Sequence, residues 1–119
     1  MALKTITTRI AGSIPSRLQA LGFTNLEQTA TESEQLYKML FSRRTDAIVG
    51  DTDLGVHYYV KRLGFDDATL EKVPIEIFRS ELYIAFSPDS DDQVVNSWTK
   101  AVKSLKDSGA LKQIFLRYE

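Results

Sequence analysis

The chain is predicted to be an α/β domain: a mainly parallel sheet flanked by helices, followed by a carboxyl-terminal helical hairpin. Three observations lead there. Asp46 to Thr52 reads Asp-Ala-Ile-Val-Gly-Asp-Thr, in which three apolar residues without alternation suit a strand buried on both faces, and Gly-Asp-Thr stops it and offers a helix cap. Strand and helix patterns alternate up to Gly64, and such βαβ units imply right-handed crossovers and a sheet covered on both faces. Beyond Pro88 only helical spacing remains.

Taken in order, Lys4 to Ala11 places Ile6, Thr8 and Ile10 on one face and reads as a strand, which Gly12-Ser13 ends. A short helix spans Pro15 to Leu21, because proline suits a first helical turn and Gly22 can close the last. Leu26 to Ala30 is a second strand. Thr31-Glu32-Ser33-Glu34 matches a capping box, and Leu36, Met39 and Leu40 form a stripe, so Glu32 to Ser42 is expected to be helical. The strand Asp46 to Gly50 follows, then a helix on which Val56, Tyr59, Val60 and Leu63 share a face before Gly64. Val73, Ile75 and Ile77 alternate as in a half-exposed strand, and Leu82 to Phe86 is a continuous apolar run, expected to be a central one. Ser87-Pro88-Asp89-Ser90-Asp91-Asp92 is an exposed connector. After it Val94, Trp98, Ala101, Val102 and Leu105 line one helix ended by Gly109, and Leu111, Ile114, Phe115 and Tyr118 line another. Trp98 is expected to anchor the first of these by burial.

Composition narrows the function. At 119 residues, 43% hydrophobic and 26% charged, the chain fits one globular domain with a modest core. Fifteen basic and sixteen acidic residues are dispersed, with a formal net charge of −1, so no basic stripe is present for nucleic acid. No apolar run approaches the roughly 20 residues of a membrane span, and Met-Ala-Leu-Lys lacks the apolar core of a secretion signal. Without cysteine there is no thiolate metal site, disulfide or cysteine nucleophile, and neither redox compartment is favoured. His57, the one histidine, has no partner at metal-ligand spacing and reads as a surface residue. No phosphate loop, dinucleotide fingerprint or nucleophile elbow occurs, so the reading is of a non-enzyme without cofactor or metal.

Gly12-Ser13 after a first strand, Asp-Ala-Ile-Val-Gly-Asp-Thr, Glu81 to Ser87, and Trp98 through Lys106-Asp107-Ser108-Gly109 to Tyr118 together resemble the carboxyl-terminal half of a bacterial extracellular solute-binding protein of family 3. Those are the periplasmic receptors of amino-acid ABC transporters. The resemblance covers nearly the whole chain in order. It implies a two-lobed receptor closing around a small polar solute, an amino acid or similar, delivered to an ABC permease. Residues 3–87 would form the second, ligand-binding lobe, and residues 88–119 a helical tail that returns to the first lobe. That first lobe has no counterpart here, so the sequence reads as part of a larger, periplasmic protein. Two other roles exist on such a fold: sensing for a membrane signalling receptor, and dehydratase chemistry.

The resemblance also assigns residues. Asp51 matches the carboxylate that takes the ligand's ammonium, with Thr52 beside it; its structural alternative is a cap on the helix beginning near Asp53. Gly12, Ser13, Ile14 and Ser16 match the turn whose N–H groups and hydroxyls take the ligand's carboxylate at the positive end of a helix; its alternative is an ordinary turn with a serine cap. Ile14 and Pro15 depart from the more polar residues common there, and Pro15 removes a donor. One lobe alone is expected to bind no more tightly than the millimolar range. The tail's apolar faces, lacking their usual partner, point to a homodimer formed by tail exchange across the Ser87 to Asp92 hinge.

Overall fold

The computed structural model describes residues 5–10, 12–77 and 79–118. They form an α/β structure with a small parallel sheet and five α-helices. The order is β1 (Ile6–Arg9), α1 (Ser13–Ala20), β2 (Leu26–Ala30), α2 (Ser33–Phe41), β3 (Ala47–Val49), α3 (Asp53–Arg62), a 3-10 turn (Asp67–Thr69), α4 (Asp92–Asp107) and α5 (Ala110–Leu116). The chain divides into two compact units, one up to Arg79 and one from Ser80.

In the first unit the sheet has the order β2-β1-β3, with both pairings parallel. β1 is central, and its register sets Ile6 level with Leu26 on one side and Ala47 on the other. Ile6, Thr7 and Thr8 are all buried, as a strand covered on both faces requires. Polar groups inside this strand are satisfied locally. Thr7 Oγ1 donates to Thr45 Oγ1 at 2.8 Å, and Thr45 Oγ1 lies 3.2 and 3.1 Å from the carbonyls of Thr5 and Ala47, to one of which it donates. Leu18 from α1, Leu36 and Tyr37 from α2 and Val60 from α3 complete the core.

Helix α2 starts one residue later than the sequence pattern suggests. Gln35 Oε1 accepts from the backbone N–H groups of Thr31 and Glu32, so the reciprocal cap is centred on Glu32 and Gln35. The helix ends at Arg43-Arg44, where Arg43 adopts φ 61° and the N–H groups of Arg43 and Arg44 reach the carbonyls of Leu40 and Met39. Along α2 and α3, Tyr37 stacks on Tyr59 with centroids 5.4 Å apart, and Arg62 Nε sits 3.0 Å from Glu34 Oε1. Phe41 stacks on Phe65 just beyond α3.

Two expected strands are absent. Neither Val73 to Ile77 nor Leu82 to Phe86 joins a ladder, and Leu82 and Tyr83 are 94% and 81% exposed. Among the described residues the sheet therefore has three strands. Strand propensity measures how well side chains pack against cross-strand neighbours, and an apolar run without such neighbours stays irregular. Arg17 Nε instead donates to the Ile77 carbonyl at 2.9 Å, a single bond where a ladder was expected.

In the second unit the Pro88 turn closes with Ser90 N–H on the Ser87 carbonyl, and Asp91 caps α4 by accepting from Gln93 N–H at 2.8 Å. Gly109 adopts φ 77° between α4 and α5. The apolar stripe is present, but Trp98 is 53% exposed, so the expected burial of this ring is corrected: helical spacing fixes which residues share a face and not what covers it.

Candidate functional site

The strand order makes the boundary between β1 and β3 the topological switch point of the sheet, the place where open α/β sheets hold ligands outside the carboxyl ends of their strands. Thr8 is level with Val49 in the β1–β3 register, so the loops after the two strands leave the same sheet edge side by side. The candidate ligand residues lie at this edge: Gly12 in the loop after β1 with Ser13, Ile14 and Ser16 in the first turn of α1, and Asp51 and Thr52 in the loop after β3.

The β1 loop enters α1 through Gly12, whose φ of 113° lies where side chains are strained. Gly12 is the N-cap and no side chain caps the helix, which removes the serine-cap alternative. By helix geometry the N–H groups of Gly12, Ser13 and Ile14 have no acceptor within the helix, and Pro15, the third helical residue, contributes none. Pro15 is buried while Gly12, Ser13 and Ser16 are exposed and Ile14 is half-buried, so the turn presents its polar side to solvent.

On the β3 side the two candidate roles of Asp51 separate. Thr52 is the N-cap of α3, its Oγ1 accepting from Gly55 N–H at 3.2 Å. Asp51 is therefore released from capping. Its Oδ2 accepts instead from the hydroxyl of Tyr37 at 2.7 Å, while Oδ1 has no hydrogen-bond partner among the described residues and the residue as a whole is exposed. Gly55 holds this arrangement close: a Cβ there would stand 3.0 Å from Asp51 Cβ.

Tyr37 was not singled out in the sequence. It lies outside the Leu36, Met39 and Leu40 stripe read for α2, yet the residue is 1% exposed, and the Asp51 contact gives its hydroxyl a role beyond packing. Burial, then the hydrogen bond and charge of Asp51, hold the phenol well above the ordinary tyrosine range, so it remains a donor. Tyr59 packs on the same ring and Tyr58 meets Tyr59 edge-on at 5.2 Å, with the Tyr58 hydroxyl accepting from Arg62 Nη1 at 2.9 Å.

His57 also has a partner the sequence did not reveal. Its Nδ1 lies 2.7 Å from Asp67 Oδ2, which ties the 3-10 turn to α3. Together with Lys61, Phe65 and Asp66 the pair lines a shallow groove of about 360 Å³. Among the described residues, no group of three or more His, Asp or Glu could hold a metal ion, and no helix is long and apolar enough to cross a membrane.

This sheet edge bears groups of opposite polarity on its two loops. A carboxylate with one engaged and one open oxygen stands after β3, and N–H groups at the positive end of a helix stand after β1. Comparison of the chain with models of protein families, with curated proteins and with solved structures gives no match.

Proposed function

We propose that the sheet-bearing unit is one wall of a cleft that binds a small zwitterionic solute, an amino acid or a close analogue. The observation that carries this reading is the Asp51 carboxylate, freed from helix capping and fixed at the β1–β3 switch point with one oxygen open. Asp51 takes the ammonium group. The N–H groups of Gly12, Ser13 and Ile14, with the hydroxyls of Ser13 and Ser16, take the carboxylate, and the α1 dipole favours that negative charge.

In such a receptor a second lobe closes over the bound solute, excluding water and strengthening both contacts, and closure is a shift toward the state that has them. Delivery to an ABC permease in the periplasm is the role this reading assigns. It is a binding role that rests on charge recognition at this edge.

The test is an amide NMR titration of the chain with a panel of amino acids. The expected result is saturable shifts at Gly12, Ser13, Asp51 and Thr52, with a dissociation constant on the order of millimolar, about 4 kcal/mol of binding free energy. Asp51→Asn removes the response. The reading falls if no amide at this edge responds to any zwitterion, or if Asp51→Asn responds as the parent does.

A further inference from the structure

We infer that Tyr37 makes this site select an ammonium over a guanidinium, by occupying one of the two carboxylate oxygens of Asp51 from the protein interior. The inference rests on the binding role proposed above and adds the cation class that the site accepts.

A free carboxylate offers two oxygens in one plane, and a guanidinium matches them with two parallel N–H donors. Asp51 does not offer both equally. Its Oδ2 is engaged at 2.7 Å by a hydroxyl whose ring is 1% exposed, so that oxygen faces the core. The Tyr37 hydroxyl uses one of the acceptor sites of Oδ2, so a ligand finds Oδ1 whole and Oδ2 already shared. A carboxylate shared in this way suits an ammonium, a compact point charge whose donors rotate to fit on Oδ1, and weakens the second bond of the planar fork, which must compete with Tyr37 for Oδ2.

Tyr37 is held where this requires it. Its ring stacks on Tyr59 at 5.4 Å with 23° between planes, and Tyr59 is braced edge-on by Tyr58, whose hydroxyl is fixed by Arg62. Arg62 is in turn paired with Glu34 on α2, the helix that carries Tyr37. Asp51 is constrained from its other side by Gly55, where little space separates the two residues. The hydroxyl and the carboxylate are thus positioned independently of any ligand. Tyr37 is a positioning residue, since it acts on the ligand through Asp51.

Glycine and guanidinoacetate are the probes, because each places its cation one carbon from a carboxylate and they differ in the cation alone. Amide shifts of Asp51, Thr52 and Gly55 are followed for both compounds in the parent chain and in Tyr37→Phe, which keeps the ring and deletes the hydroxyl. The parent is expected to prefer glycine by about tenfold, the effect of one charge-assisted hydrogen bond weakened for the guanidinium. In Tyr37→Phe, with Oδ2 released, that preference should shrink by about the same factor. A role confined to packing would weaken both probes equally and leave the ratio unchanged, and that result overturns the inference. So does a parent chain that takes guanidinoacetate as tightly as glycine, a measurement that does not depend on the variant folding. A parent chain that responds to glycine without discrimination removes this inference and leaves the binding role standing; no response to either probe also removes this inference, and the binding role falls with it when the amino-acid panel is silent as well.

Discussion

The hydroxyl of Tyr37, inside the core, donates to Asp51 Oδ2, on the surface, at 2.7 Å across the junction of α2 with the β3 loop. Burial first, and then Asp51, raise the pKa of this phenol above its ordinary value of about 10. The sign of the pH effect follows. Below that value both folded and unfolded chains keep the proton and the stabilisation is complete; above it the unfolded tyrosine ionises while the folded one does not. Stability is therefore lost as pH climbs past about 10, by at most ~1.4 kcal/mol per pH unit from this residue. Tyr37→Phe should cost about 1–3 kcal/mol at neutral pH and make the alkaline slope shallower. Urea unfolding of both proteins across neutral and alkaline pH measures it, and identical slopes would contradict the buried bond.

Thr7 and Thr45 form the other polar contact that the core depends on. Thr7 is fully buried on the central strand, and the hydroxyl of Thr45 is its acceptor at 2.8 Å. Thr45→Val leaves the Thr7 hydroxyl without that acceptor in a place water does not reach, at a cost of about 1–3 kcal/mol. Replacing both by valine removes donor and acceptor together, so the double variant should lose less than the sum of the single ones. An additive cycle in urea unfolding would show that the two hydroxyls do not depend on each other.

Much of this arrangement was legible in the residues, and what was not has a physical cause. Asp-Ala-Ile-Val-Gly-Asp-Thr announced a strand with a carboxylate at its end, because apolar continuity and the Gly stop are local signals, but its expected burial on both faces is corrected: β3 lies at the sheet edge and its residues are half-buried, since strand order is not written in the run itself. Leu26 to Ala30 also forms as read. Leu82 to Phe86 carried the same kind of apolar signal and forms no strand: pairing is a property of neighbours, and the run by itself does not contain them. The site shows the same limit. Asp51 was weighed as the cap of α3, and only the hydrogen bond from Gly55 N–H to Thr52 Oγ1 moves that role to Thr52. Tyr37 and Asp51 are fourteen residues apart, and the pairing of His57 with Asp67 likewise depends on how the 3-10 turn returns to α3. No periodicity encodes contacts of that kind.

Arg43 ends α2 in the left-handed region at φ 61°, a conformation that costs a residue with a Cβ roughly 1–2 kcal/mol and glycine almost nothing. Arg43 is exposed, so the side chain can be deleted without opening the core. Arg43→Gly should raise stability by about 0.5–1 kcal/mol, the strain relief being partly offset by the freer unfolded chain. Arg43→Ala, which keeps the Cβ, should gain nothing. Thermal or urea unfolding separates the two, and equal behaviour of the Gly and Ala variants would show that the backbone at this helix end is unstrained.

Gly55 sets two effects against each other. It lies in the first turn of α3, where alanine is the better helix former by about 1 kcal/mol, yet a methyl group there would meet Asp51 Cβ at 3.0 Å. Asp51 is exposed and can move a few tenths of an ångström outward, so the clash is relieved at the site and not in the core. The net change in stability for Gly55→Ala should therefore stay within about 1 kcal/mol of zero. The displacement is felt at the carboxylate, which is drawn away from the Tyr37 hydroxyl and from the position where it meets a ligand's ammonium group. Glycine titration of Gly55→Ala should show the shifts at Asp51 and Thr52 saturating at several-fold higher concentration, while urea unfolding is nearly unchanged. Unaltered glycine affinity in that folded variant would mean that the placement of Asp51 does not govern binding at this edge.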